Sequence, residues 1–397
     1  MTTSSLIAGE LNPSPRLLLG PGPSEAHPRV LKAMSTPLLG HLDPEFMVMM
    51  TETQQMLRQV FQTKNQLTLP VSGTGMAGME CVVVNLIEPG DKMVVCVAGF
   101  FGGRMAEIAR RAGANVTVVE APWGEAFDPN RLVETLKQVR PKVLGIVHAE
   151  TSTGVLQPLD GLGKACRELG VLLVVDTVTS LACVPVEVDA WELDGVYSGT
   201  QKGLGCPPGL SPVTFSPHAL DAIKGRKTKV QSWYLDMLEV TKYWSEERFY
   251  HHTAPISAVY ALREGLRVVL EEGLPARFAR HQLHHRALKA GLTALGLKYA
   301  NQEGRRLPQL NPVFIPQGVD DAKIRKKLVT DYGIEIGGGL GDFKGKVWRI
   351  GLMGYSCRTA AVLSVLAALE QCLLGEGVKL KAGSGVAAAE EVYAKAT

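Results

Sequence analysis

Paired cysteines, long apolar runs and blocks of like charge are missing from this chain, and each absence excludes a class of protein. The seven cysteines, at 81, 96, 166, 183, 206, 357 and 372, never form a C-x-x-C pair. An odd, dispersed set in apolar surroundings reads as small buried hydrophobes in a reducing compartment, not as a disulfide framework. Apolar runs such as residues 171–175 stop far short of the roughly 20 residues that a membrane span needs. The formal charge of +3 comes from 42 Lys and Arg against 39 Asp and Glu, with no basic block to meet a nucleic acid. The first ten residues carry no positive charge ahead of Leu6 and Ile7, and the last three are no peroxisomal address. A cytoplasmic protein with no nucleic-acid or membrane partner is therefore expected.

What is present is an ordinary globular composition, 46% hydrophobic and 20% charged over 397 residues, long enough for a large domain and a smaller companion. From residue 67 onward, short apolar runs (67–71, 93–98, 116–119, 143–147, 171–175, 213–215) alternate with stretches of helical periodicity. One of these helices starts at Asp128 and Pro129, a cap and first-turn pair, and others close on Gly113 and Gly170. Strands alternating with helices predict an α/β fold, a large mostly parallel sheet covered by helices. Long helices are expected at 257–272 and 276–295. A smaller α+β region follows, with strands near 313–315 and 347–350 around a helix at 321–332. The expected division is an arm (1–18), a large domain (19–275), a small C-terminal domain (276–375) and a tail with a short helix (376–397).

Ligands gather at the carboxyl ends of such strands. Gly73, Gly75 and Gly78 spell G-x-G-x-x-G there, but a dinucleotide site also needs an acidic residue after the next strand, where Gly99 and Phe100 stand instead. What remains is a helix start, Thr74 to Met76, whose free amides and positive end would hold one phosphate; an ordinary capped helix would read the same way. Asp176 ends a run of five apolar residues, where a carboxylate is costly unless a cation meets it. A protonated pyridine nitrogen is such a cation; a helix-capping aspartate is the plainer reading. Lys202 follows among small residues, in Tyr-Ser-Gly-Thr-Gln-Lys-Gly. Burial there would favour its neutral amine, the nucleophile that forms a Schiff base with an aldehyde, although an exposed loop lysine fits the string equally well.

The order of these features, with the strings at 17–24 (Leu-Leu-Leu-Gly-Pro-Gly-Pro-Ser), 150–154, 176–180 and 197–202, resembles the class V, fold-type I aminotransferases. Within them the chain is similar to alanine-glyoxylate and serine-glyoxylate aminotransferases from Arg16 to Leu373. The resemblance implies pyridoxal 5′-phosphate held by Lys202, which also shuttles the substrate's proton. It further implies Asp176 on the ring nitrogen, Phe101 stacked on the ring, Ser152 at the ring hydroxyl and Val178 in the same cofactor set. Thr74, Gly75, Met76 and Gln201 would meet the phosphate, with Tyr250 and Thr253 of the partner subunit, so a homodimer is implied. Arg349 would clamp the substrate carboxylate by a two-pronged hydrogen bond that lysine cannot copy, in a pocket closed by Gly22, His41 and Tyr250 and touched by Ser152.

Amino acid and 2-oxo acid are then the small-molecule partners, with glyoxylate as acceptor and alanine or serine as donor. The ureidoglycine-glyoxylate branch shares Asp-Pro-Glu-Phe at 43–46, but has Gln and Asn where this chain has His41 and Tyr250. A class V lyase such as a cysteine desulfurase would need a reactive cysteine on a mobile loop, and Cys357 is the one near a candidate site. A cofactor-binding regulator is disfavoured, since no DNA-binding segment is appended. His281 and His285 read as a solvated helix face, and His251 and His252 as framing the phosphate loop, with no metal-ligand spacing among them.

Overall fold

A computed structural model describes residues 9–396; the first eight residues of the expected arm lie outside them. Its centre is a seven-stranded sheet made of β1 (Thr68–Ser72), β2 (Lys92–Val97), β3 (Asn115–Glu120), β4 (Val143–Val147), β5 (Leu172–Asp176), β6 (Gly195–Tyr197) and β7 (Leu210–Phe215). The spatial order is β1-β7-β6-β5-β4-β2-β3. β7 runs antiparallel to both its neighbours, and the pairs from β6 to β3 are parallel. Helices on both faces explain why β4 reads as an unbroken buried run and not as an alternating one.

Local chemistry sets the helix ends. Asp43 accepts from the Glu45 amide to start α1 (Pro44–Phe61), and Asp128 does the same from Asn130 for α4 (Pro129–Val139), each with proline in the first turn. Between them lie α2 (Gly75–Leu86), after β1, and α3 (Phe100–Arg111), after β2. The helix expected to close on Gly170 is α5 (Leu162–Glu168).

Beyond the sheet come α6 (Ile256–Glu272) and α7 (Leu274–Ala294). A three-stranded sheet of β8 (Leu310–Phe314), β9 (Gly337–Gly338) and β10 (Val347–Gly351) follows, with α8 (Asp321–Tyr332) and α9 (Thr359–Gly375). The tail ends in α10 (Ser384–Ala394), which packs on α7 and α9. Buried apolar residues form two main cores. One extends from Val30 to Val269 around the large sheet; the other joins Leu19 to residues from Ala287 to Ala389. Leu19 reaches the second core because Leu17 and Leu18 pair in parallel with Ile334 and Glu335. No helix among the described residues is long and apolar enough to cross a membrane.

One expectation is corrected here. His281 and His285 do not face solvent: they are 0% and 8% exposed. The His281 Nδ1–H donates to the Arg277 carbonyl at 2.8 Å, and Nε2 accepts from the Gly354 amide at 3.3 Å. His285 Nδ1–H donates to Asn311 Oδ1 at 2.7 Å. Both rings are thus buried and hydrogen-bonded within the fold.

Candidate active site

The carboxyl ends of β1, β5 and β6 surround a cavity of about 190 Å³. The helix start Thr74, Gly75 and Met76 contributes backbone to its lining. Phe101 and Val178 contribute apolar side chains; Asp176, Gln201 and Lys202 contribute polar ones. Gly22 enters from the N-terminal segment.

Lys202 follows β6 on a loop whose carbonyls are clasped from outside. Ser24 donates its amide to the Gln201 carbonyl and its hydroxyl to the Lys202 carbonyl, both at 2.8 Å. The Lys202 side chain is 7% exposed, and its ammonium donates to the Pro21 carbonyl. Burial, helped by the Arg349 charge, brings the amine down to about 8, against the pull of Asp176. Gly22 has φ +118°, and a Cβ there would stand 2.6 Å from Lys202 Nζ, so only glycine lets the chain pass this amine.

Asp176 ends β5 and is pushed up to about 7, chiefly by burial. Its Oδ1 accepts from the Val178 amide at 2.8 Å and its Oδ2 from the Tyr197 hydroxyl at 2.9 Å. Tyr197 reaches it because the two residues are cross-strand partners in the β5–β6 register. Tyr197 was not singled out from sequence, and that register is the signal that finds it.

Arg349 on β10 is 5% exposed and does not line the cavity directly. Its Nε donates to the Gly338 carbonyl at 2.8 Å and its Nη1 to that of Thr151 at 3.0 Å, and burial brings it down to about 10. At 150–154 it is Thr151 that lines the cavity, its hydroxyl 2.5 Å from that of Thr179. Ser152, beside it, is held by its neighbours: its hydroxyl donates to Glu150 at 2.6 Å and accepts from the Phe100 amide at 2.9 Å. Glu150, also missed from sequence as a contributor, is buried beside it, and burial raises its carboxyl.

His41, Tyr250 and Thr253 are not brought to this cavity within one chain. The His41 and Tyr250 rings lie 5.0 Å apart, and the Tyr250 and Thr253 hydroxyls 3.5 Å apart. His252 Nε2 sits 3.3 Å from Ser72 Oγ, just ahead of the helix start, and His251 stacks on Trp233 at 4.3 Å. Cys357 is 1% exposed and its thiol is pushed up to about 12 by burial. Cys183 packs on the lysine loop, since a Cβ on Gly203 would stand 2.6 Å from its sulfur, and it too is buried. Neither is a reactive loop thiol.

Three features fit a flat, phosphate-bearing cofactor. Thr74 makes no side-chain cap, which leaves the start of α2 free for an anion. Gln201 Oε1 is buried with no partner, and the flipped side-chain amide would turn its NH2 donor toward a phosphate. The buried Asp176 carboxyl stands ready for a cationic ring nitrogen, in the same cavity as an amine held partly neutral.

Comparison with known proteins agrees. The family model described as aminotransferase class-V matches residues 17–355. The alanine–glyoxylate aminotransferase of Rattus norvegicus is 43% identical over 90% of this chain and 87% of its own. Two crystal structures superpose closely. The alanine–glyoxylate aminotransferase of Nostoc sp. has TM-score 0.92 and 51% identity over 93% of this chain and 98% of that one. The ureidoglycine-glyoxylate aminotransferase of Bacillus subtilis has TM-score 0.96 and 44% identity over 97% of this chain and 100% of that one.

Proposed function

This chain belongs to the class-V aminotransferases, enzymes of pyridoxal 5′-phosphate, and from that premise we propose that it moves the amino group of alanine or serine to glyoxylate. Glycine and pyruvate or hydroxypyruvate would be the products. The observation that carries the reading is one cavity that joins a lysine amine near 8, a buried carboxyl and an uncapped helix start.

When bound, the cofactor supplies an electron-poor ring that takes up the electrons released at the substrate's Cα. The chain's own groups would do the rest. The Thr74–Met76 amides and Gln201 would hold the phosphate, and Asp176 would keep a proton on the ring nitrogen. Tyr197 orients that carboxyl through its hydroxyl. The neutral Lys202 amine would take the proton from the substrate's Cα and deliver it to C4′ of the cofactor, on the far side of the amino nitrogen. Phe101 and Val178 would exclude water from the ring faces, with the Thr151 hydroxyl at its rim. Arg349, already fixed by two carbonyls, would orient the substrate carboxylate.

A homodimer belongs to the same proposal. Tyr250, Thr253 and His41 would enter the partner's cavity, and they lie amid exposed apolar side chains: Leu38, Trp233 and Phe249 are 69%, 62% and 63% exposed. So do the division near residue 275 into two domains, each with its core, and a cytoplasmic location, in keeping with seven free buried cysteines.

The test is a donor-by-acceptor panel on the purified protein loaded with cofactor. Glycine formed from glyoxylate with alanine or serine supports the assignment. Turnover with ureidoglycine alone would move the protein to the second branch that the comparisons contain, and no glycine from any donor would end the reading.

A further inference from the structure

Glu150 is a buried carboxylate that nothing in the proposed chemistry uses. It is 3% exposed, and no cation lies within ion-pair distance among the described residues. Four donors converge on it instead: the Ser152 amide at 3.0 Å and hydroxyl at 2.6 Å, and the Phe101 and Gly102 amides at 3.5 and 3.4 Å. The last two are free N–H groups of the first turn of α3, whose own cap residue, Gly99, has no side chain to offer. A helix start thus receives its acceptor from the segment after the neighbouring strand, and the helix's positive end helps offset the cost of burying the charge.

The approach is close enough to dictate residue type. A Cβ on Gly99 would lie 2.4 Å from Ser152 Oγ and 2.6 Å from Glu150 Cδ. The Gly99 backbone is extended, at φ 171°, so glycine is required there for space and not for conformation. Filling a buried gap would be done more cheaply by an apolar side chain of similar volume. What an acceptor adds is fixed geometry in the turn that carries Phe101, a residue lining the cavity.

We propose that Glu150 is a positioning residue that anchors the first turn of α3 and so holds the Phe101 ring against bound pyridoxal phosphate. This rests on the cofactor reading above. The adjoining Thr151 lines the same cavity and its carbonyl receives Arg349, so the turn at 150–152 sets the ring wall and the arginine from one short segment.

The test is a double-mutant cycle read as the Kd of pyridoxal phosphate for the cofactor-free protein, by fluorescence titration, with the visible circular dichroism of the bound cofactor as a second signal. Glu150→Gln removes the charge, keeps one acceptor oxygen for Ser152 and Phe101, and sets an amide donor against the Gly102 amide of α3. It is expected to weaken binding about tenfold, as loss of a charge-assisted hydrogen-bond cluster does. Phe101→Leu is expected to do the same, and both to shrink the dichroic band. The double variant should remain about tenfold weaker and not a hundredfold, because both changes remove one contact. A hundredfold loss in the double variant, or wild-type binding by Glu150→Gln, would overturn the inference while leaving the cofactor reading intact. Should Glu150→Gln not fold, Glu150→Asp, too short to span the same donors, enters the cycle with the same two outcomes. Failure of the wild-type protein to bind the cofactor would remove the functional reading itself.

Discussion

At the scale of single residues, the chemistry depends on an amine being kept partly neutral by its surroundings. With the cofactor absent, Lys202 should be acylated by a water-soluble anhydride with a midpoint near pH 8, well below surface lysines, as followed by peptide mass spectrometry. Asp176 pulls that value upward, so Asp176→Asn should move the midpoint lower still; an upward move would contradict the attribution of that pull to the Asp176 charge. Lys202→Ala should cut turnover by about a thousandfold or more, and borohydride should no longer fix the cofactor to the chain. Both residues were legible in the sequence because a charge closing an apolar run, or set among small residues at a strand end, is costly without a purpose. Glu150 and Tyr197 were not, because their contribution depends on which strands lie side by side. Adjacent hydroxyls posed a different problem: whether Thr151 or Ser152 faces the cavity is decided by one turn, and no periodicity reports it.

Among the elements, α7 misled most. Histidines spaced by four between arginines look like a wet face, yet α10 packs against α7, and Arg277 and Arg280 are tied to Glu272 and to backbone carbonyls. The sandwiching tail could not be inferred from local pattern. Its consequence is a pH dependence of known sign. Burial lowers His281 to about 3 and His284 and His285 to about 4, whereas an unfolded histidine titrates at 6.5. Protons are then bound preferentially by the unfolded chain, so this contribution to stability is complete above pH 6.5 and is lost as pH falls toward 4. The melting temperature should drop across that window, and His284→Gln should make the drop shallower. The large sheet was legible in most of its strands because buried parallel strands are long apolar runs. β6 was not: three residues are too few to show a run, even in the sheet's interior.

For the whole molecule, the surface bearing Trp233, Phe249 and Tyr250 leads to a complementation experiment. Lys202→Ala and a Tyr250→Phe/Thr253→Ala double variant should each be inactive or severely impaired alone. Subunit exchange between them would create mixed dimers with one intact site, and random pairing should restore about a quarter of wild-type activity. No recovery after exchange would mean that each chain completes its own site. The path of the first described residues bears on this larger scale too. Leu19 is embedded in the second core, and five residues later Ser24 grips the carbonyls of Gln201 and Lys202. A span that short is nearly inextensible. A swing of the C-terminal body would therefore pull on the nucleophile's own loop as a cord pulls a latch, linking pocket closure to the aim of the amine without any contact between the moving body and the lysine side chain.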